Sequence, residues 1–152
     1  MKLNFKKVII FIIILLLAIF LIRKCHQSST PTSSEEGNVA LVEHMYTDVS
    51  EKMNLAKVDS YFAPDFELIS NETHMNYGEF KDHLGQVFNS MKGIEIKKPF
   101  ADIFSKNDKV VTRFTILTTD KNGNKVEKDV IAIYQIKNNK IYRWWELTYP
   151  AW

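Results

Sequence analysis

The sequence predicts an α+β domain in which helices come first and antiparallel strands come last. Two observations carry this prediction. Apolar residues recur with helical periodicity from Asn38 to about Gly93, and strand-like segments joined by tight-turn signatures follow from Ile94 onward. The predicted order is ααβαββββ, with about three helices. Helices followed by a run of strands favour an antiparallel sheet that is covered by helices on one face.

Two helices are predicted at the start of the domain. The first presents one apolar face, made of Val42, Tyr46, Val49 and Met53. The second is short, carries Leu55 and Val58, and ends before Pro64, because the residue before a proline disfavours helical geometry. The alternation of Phe66, Leu68 and Ser70 then predicts a short strand.

A third helix is predicted after a loop over residues 71–76. Asn76 and Glu79 have the spacing of a capping box, in which each side chain bonds the backbone N–H of the other residue. The helix presents one apolar face before it stops near Gly93: Phe80, Leu84, Val87 and Met91.

The remainder of the chain has the pattern of strands joined by tight turns. The predicted strands cover residues 94–104 (interrupted at Pro99), 109–119, 126–136 and 140–149. Asn122-Gly123 and Asn138-Asn139 separate the last three, and both pairs tolerate the positive φ angles of hairpin turns.

The N-terminal segment predicts a membrane anchor. Residues 8–22 are 15 consecutive apolar residues, flanked by Lys6-Lys7 and Arg23-Lys24. A cleaved secretory signal is the alternative, but no small-residue cleavage site follows the run. We therefore predict a transmembrane signal-anchor over residues 1–26, a flexible linker over 27–37 and the folded domain over 38–152. The charge asymmetry favours a domain outside the cytoplasm, periplasmic or extracellular, as on a bacterial inner membrane.

Charge and composition exclude several classes of function. The first 34 residues hold 5 of the 20 Lys and Arg and no acid, so the remainder carries 15 against 18 Asp and Glu. A net charge of about −3 argues against nucleic acid as a partner. Cys25 is the single cysteine, so no intrachain disulfide is possible. His44, His74 and His83 lack metal-ligand spacing, and no glycine-rich phosphate loop occurs, so we expect no metal and no cofactor.

Three short stretches resemble the nuclear-transport-factor-2-like superfamily and its SnoaL-like domains. They are residues 61–66 (YFAPDF), 110–115 (VVTRFT) and 139–146 (NKIYRWWE). The resemblance covers about residues 38–151. It implies a cone-shaped curved antiparallel sheet that closes over the helices around a pocket.

The resemblance also allows two known chemistries to be compared with this chain. Ketosteroid isomerases of the superfamily use a carboxylate base, with a tyrosine and a protonated acid as oxyanion donors. Tyr46 falls on the tyrosine position, but the base and acid positions hold Ser70 and Ala132. That isomerase chemistry is therefore not expected, and a core role for Tyr46 is the alternative.

Epoxide hydrolases of the superfamily use an arginine flanked by carboxylates to activate water. Arg113 matches the arginine, while Thr115 stands where a carboxylate is expected. Glu146 is the best remaining acid, so an Arg113–Glu146 pair is the catalytic hypothesis, with a structural ion pair or two solvent-facing charges as alternatives. Strand alternation places Arg113 opposite the buried Phe114, whereas the resemblance directs it into the cavity.

By the same resemblance, the ligand pocket is expected to include Tyr46, Tyr134, Trp144 and Thr115. On the last strand, Tyr142, Trp144, Glu146 and Thr148 are expected to share the inner face and Ile141 the outer one. The outer sheet face, with Trp145, Ile131 and Ile133, is unusually apolar and predicts a homodimer or partner surface.

Two classes of function follow from the sequence. One is a domain that binds, or acts on, a small hydrophobic molecule; the enzymatic form would be an isomerase, cyclase or hydrolase. The other is a non-catalytic assembly module of an envelope complex such as a secretion channel. The missing isomerase carboxylates and the predicted membrane tether favour a binding or scaffolding role over catalysis.

Overall fold

The computed structural model describes residues 33–150. The chain divides into two units, residues 1–30 and 31–152, and everything described lies in the second. The predicted anchor (1–26, with its apolar run at 8–22) and most of the predicted linker lie outside the described residues, so the membrane tether stays a prediction. Between residues 33 and 150, none of the helices combines the length and the apolar character that crossing a membrane requires.

The first helix begins earlier than its apolar periodicity predicts. Helix α1 spans Ser33–Met45 and continues as a π-helical segment over Tyr46–Glu51. Residues 33–37, expected in the linker, are therefore helical. The physical reason lies in Glu35, which is buried and accepts a hydrogen bond at 2.9 Å from the backbone N–H of Asn107. This tertiary contact fixes the position of residues that the composition alone places in a flexible linker.

Two short helical pieces lead from α1 into the sheet. A 3₁₀ turn spans Leu55–Lys57 and helix α2 spans Val58–Tyr61. Asn54 caps the turn, since its side-chain oxygen accepts from the backbone N–H of Ala56 at 3.1 Å. Helix α3 spans Tyr77–Ser90 and begins with the predicted capping box between Asn76 and Glu79, which is confirmed.

Seven strands form one sheet within the described residues. They are β1 (Phe62–Ser70), β2 (Thr73–Asn76), β3 (Met91–Ile96), β4 (Asp102–Lys106), β5 (Lys109–Asp120), β6 (Lys125–Lys137) and β7 (Lys140–Tyr149). The spatial order is β2-β1-β7-β6-β5-β3, and β4 also pairs with β5. The α+β class with a curved, mainly antiparallel sheet is confirmed.

The predicted strand over residues 94–104 is divided around Pro99 into β3 and β4, and two further features of the sheet differ from the prediction. First, β1 pairs with β7 in parallel, while the other strand pairs are antiparallel. Element order carries no information about which distant strand becomes a neighbour. Second, the loop expected over residues 71–76 contains β2, because Asn71 adopts a positive φ of 50° and turns the chain within two residues.

The hairpin turns are as predicted. Gly123 has a φ of 90° between β5 and β6, and Asn138 and Asn139 have φ angles of 53° and 57° between β6 and β7. The paired positive φ angles of Asn138 and Asn139 match the right-handed twist of β6 and β7. β5 and β6 keep a continuous register from Lys109↔Gln135 to Thr119↔Lys125.

The core lies between the helices and the inner face of the sheet. On β5 the alternating residues Val110, Thr112, Phe114, Ile116 and Thr118 are buried. On β7 the alternation is broken, because the register with β6 shifts between Gln135↔Arg143 and Ile136↔Ile141. This bulge turns Ile141 inward, where it is fully buried, and corrects the predicted outer position.

Candidate functional site

A cavity of about 560 Å³ lies between α3 and the inner face of the sheet. Apolar side chains make up most of its wall: Leu68, Met75, Phe80, Leu84, Val87, Phe88, Ile94, Phe114, Ile116, Val130 and Trp144. The apolar face predicted for α3 thus supplies one wall, and the inward residues of the strands supply the other. A concave, largely apolar chamber of this size suits a small molecule.

The polar groups of the cavity gather where β1 and β7 run side by side. Glu146 Oε1 accepts from Thr148 Oγ1 at 2.7 Å and from Ser70 Oγ at 3.3 Å. The parallel register places Ser70 directly beside Glu146, and the backbone N–H of Asn71 bonds the Glu146 carbonyl oxygen at 3.0 Å. The carboxylate is half-buried and held by several partners in one orientation, which is what a ligand-binding or proton-transferring group requires.

Two tyrosine hydroxyls meet in the core beneath the cavity. Tyr46 and Tyr134 are almost completely buried, and their hydroxyl groups are hydrogen-bonded to each other. Burial raises the pKa of Tyr46 well above 10, and the neighbouring Tyr134 and the Glu146 charge raise it further. Burial likewise raises the pKa of Tyr134. Both phenols are therefore neutral at physiological pH. Tyr46 lines the cavity, whereas the fully buried Tyr134, which was also expected in the pocket, is not among the lining residues, so that expectation is corrected.

Trp144 joins the cavity to the aromatic core. Its ring stacks on Phe62 with centroids 6.2 Å apart and meets Tyr134 at 5.2 Å. Among the described residues, no acceptor bonds its buried indole N–H. The aromatic contacts hold the ring in one position, while its indole N–H makes no hydrogen bond among the described residues.

Arg113 and Thr115 lie outside this cavity, which corrects two sequence-based expectations. Arg113 Nε donates to Asp102 Oδ2 at 2.6 Å, and Thr115 Oγ1 donates to Asp129 Oδ1 at 2.8 Å. Both line a separate cavity of about 470 Å³, to which Ile131 and Leu147 also contribute. Strand alternation, with Phe114 inward, is the physical reason. Arg113 and Glu146 thus line different cavities.

The sequence analysis did not assign Ser70 or His83 to the ligand pocket, although both line the cavity. Ser70 was predicted on the same strand face as Phe66 and Leu68, so the alternation already placed it inward, but its contact with Glu146 depends on the unpredicted β1–β7 pairing. His83 lies on α3 one residue before Leu84 and also lines the cavity. Between residues 33 and 150, no three His, Cys, Asp or Glu side chains cluster closely enough to hold a metal.

Comparison with known proteins identifies the domain. The family model described as "SnoaL-like domain" matches residues 42–144. The chain belongs to this family. No curated protein sequence matches it.

Solved structures with the same fold are distant in sequence from this SnoaL-like domain. An LEH-like epoxide hydrolase from M. tuberculosis is 15% identical, with a TM-score of 0.65 over 76% of this chain and 84% of that one. TsrD from Streptomyces laurentii is 13% identical, with a TM-score of 0.63 over 75% and 89%. TerC, co-crystallised with polyporic acid, is 17% identical, with a TM-score of 0.61 over 72% and 89%. Likeness at this level concerns the fold.

Proposed function

We propose that this SnoaL-like domain binds a small, predominantly apolar molecule in the cavity between α3 and the sheet. The observation that carries the proposal is the cavity itself: about 560 Å³, walled by apolar side chains, with Glu146 as a fixed polar anchor at one end. Such a combination gives affinity through apolar burial and orientation through one strong acceptor. TerC, of the same fold, was co-crystallised with polyporic acid, which supports a small-molecule role at the level of the fold.

We expect a blocked cavity to abolish binding while the fold is kept. Leu84→Trp places a bulky ring into the cavity from α3, so the full-length protein should lose its uptake of the neutral apolar dye Nile red, measured by fluorescence. It should also lose any small molecule that co-purifies with the wild type, measured by native mass spectrometry. The matched control is Gln86→Trp on the exposed side of the same helix, which should bind as the wild type does. Equal dye uptake by both variants would contradict the proposal.

Catalysis on such a ligand is a second candidate. The carboxylate of Glu146 lies in the cavity and is oriented by hydroxyl groups, as a general base would be. An epoxide hydrolase among the proteins of the same fold supports this candidate at family level. The test of this candidate is product formation from the co-purifying molecule. The Glu146→Gln variant should form no product. An assembly role without a ligand is favoured only if wild-type protein takes up neither dye nor small molecule.

We also propose that the outer sheet face forms a homodimer. Apolar residues on adjacent strands stand in register, since Ile131 pairs with Leu147 and Ile133 with Trp145. Ile131 and Leu147 are 50% and 64% exposed. Clustered exposed apolar residues of this kind favour association.

We expect Ile131→Asp to shift the full-length protein from dimer to monomer in analytical ultracentrifugation. The control Lys137→Asp, on the same strand, should leave the dimer intact. A wild type that is already monomeric would refute the proposal.

A further inference from the structure

Two hairpin turns lie side by side at one end of the sheet and carry lysines on both of their sides. They are the β4–β5 turn and the β6–β7 turn, and the backbone N–H of Ile136 joins them by donating to the Asp108 carbonyl oxygen at 2.7 Å. We call the four residues that flank these turns the lysine end: Lys106, Lys109, Lys137 and Lys140. The antiparallel strand order brings their charges together, although the two turns are remote in sequence.

Contacts within the domain leave most of these ammonium groups available. Lys106 Nζ lies 3.7 Å from the carboxylate of the buried Glu35. Lys109 and Lys137 are exposed, and neither forms an ion pair among the described residues. Lys140 donates to a backbone carbonyl oxygen instead of a carboxylate. Three of the four lysines are therefore not neutralised by an ion pair between residues 33 and 150.

The acids closest to the lysine end are mostly engaged with other side chains. The Asp59 carboxylate pairs with Lys81 at 2.7 Å, and the Asp108 carboxylate accepts from the Gln135 side chain at 2.7 Å. Glu36 is exposed in the first turn of α1. The lysines thus outnumber the acids that are free to oppose them, and this end of an otherwise acidic domain favours an anionic surface.

The chain enters the domain at this same end. Helix α1 begins at Ser33, and Glu35 and Asn38 both bond the backbone of Asn107, within the β4–β5 turn, at 2.9 and 3.1 Å. In the sequence, eight residues separate Ser33 from Lys24, the last basic residue of the predicted anchor. Eight residues reach at most about 30 Å even when fully extended. The predicted anchor would therefore keep the lysine end close to the lipid headgroups.

The polar part of the ligand cavity lies at the other end of the same strands. β1 and β7 run in parallel from Phe62↔Ile141, near the lysine end, to Ser70↔Glu146. Ser70 and Glu146 line the cavity, together with residues 71–73 of the β1–β2 turn. A surface that contacts the lysine end would therefore leave this part of the cavity uncovered.

We propose that the lysine end docks on the anionic headgroups of the membrane that holds the predicted anchor. Attraction between lysines and anionic lipids acts within about one Debye length of the surface, roughly 8 Å at physiological ionic strength. The tether makes the contact intramolecular, so a few lysines are sufficient where an untethered domain would need more. Docking directs the polar end of the cavity away from the bilayer. The inference rests on the predicted anchor and is independent of the proposed ligand binding.

Acetylation of lysines tests the docked surface directly. Full-length protein is placed in nanodiscs of phosphatidylcholine alone or with phosphatidylglycerol and is labelled briefly with an acetylating reagent. Peptide mass spectrometry then gives the reaction rate of each lysine. We expect the lysine end to react about threefold more slowly in the anionic nanodiscs, and we expect high salt to abolish this protection. Lysines at the opposite end of the sheet should react equally in both lipids: Lys92, Lys121 and Lys125.

A matched pair of variants assigns the contact to these charges. One variant removes three charges of the lysine end: Lys109→Gln, Lys137→Gln and Lys140→Gln. The control removes three charges of the opposite end: Lys92→Gln, Lys121→Gln and Lys125→Gln. Both keep Lys106 and its contact with Glu35, so Lys106 reports docking in each. Its protection in anionic nanodiscs should be lost in the first variant and kept in the control. Unchanged far-ultraviolet circular dichroism shows that both are folded.

The possible failures are distinct. Equal acetylation of the lysine end in the two lipids, or protection that persists in the first variant, overturns the inference in favour of another partner, such as an acidic protein. Full-length protein that does not remain with phosphatidylcholine nanodiscs overturns the inference together with the predicted anchor. Nile red uptake is measured separately, so the proposed function stands or fails by its own test.

Discussion

Phe62→Ala should lower the free energy of unfolding by about 3–5 kcal/mol, as truncation of a large buried aromatic side chain generally does. Phe62 is 1% exposed at the start of β1. The centroid of its ring lies 4.8 Å from that of Phe66, 5.0 Å from that of Phe80 and 6.2 Å from that of Trp144. The loss combines the lost burial of the ring with the space left among three aromatic neighbours. Urea denaturation of the full-length protein, followed by far-ultraviolet circular dichroism, measures it.

The matched control for this prediction is Phe104→Ala on β4. Phe104 is 56% exposed, so its removal should change the unfolding free energy by no more than about 0.5 kcal/mol. A second consequence concerns the cavity, because Trp144 loses its stacking partner in Phe62→Ala and Nile red uptake should weaken. Similar losses from both truncations would show that the aromatic cluster is not the centre of the core.

Tyr46→Phe and Tyr134→Phe should each destabilise the domain by about 1–3 kcal/mol, because each leaves the other buried hydroxyl without its hydrogen-bond partner. The double variant removes both hydroxyl groups and leaves neither unpaired. Its loss should therefore be smaller than the sum of the two single losses by about 1 kcal/mol. Urea denaturation of the four proteins gives this coupling energy, and strict additivity would contradict the pairing.

The Tyr46 and Tyr134 variants should also change how the stability of the domain depends on pH. The pKa of both tyrosines is raised on folding, so at alkaline pH the unfolded chain has released phenolic protons that the native protein still holds. Stability must then fall as pH rises above about 10, the ordinary tyrosine pKa. The double variant should lose stability less steeply between pH 9 and 11. Some slope should remain, because Tyr61, whose hydroxyl donates to Asp48, also has a pKa raised to about 12.

Local chemistry made much of this fold predictable. The capping box at Asn76 and the turns at Gly123 and Asn138-Asn139 depend on neighbours in sequence, so the residue types were sufficient. The inward position of Phe114 followed from alternation alone. The cavity walls contributed by α3 followed in the same way, from the spacing of Phe80, Leu84 and Val87.

The remaining features depend on contacts between distant residues. The bulge at the start of β7 leaves the alternation of later residues intact, so Trp144 was placed correctly while Ile141 was not. Glu35 appeared to belong to a flexible linker because its partner, Asn107, is remote in sequence. Arg113 was directed inward by the family resemblance alone, and the simpler argument from the pleat of the strand was right.

The parallel pairing of β1 with β7 also governs when the site can form. Ser70 and Glu146 are 76 positions apart, so the polar end of the cavity depends on one of the most non-local contacts in the domain. Contacts of such high sequence separation close late, since the chain must first lose the entropy of a long loop. During synthesis, α1 through β6 emerge before β7 exists, and the edge of β1 stays open until Glu146 has left the ribosome. We therefore expect nascent chains that end before β7 to rely on chaperones and to bind no ligand.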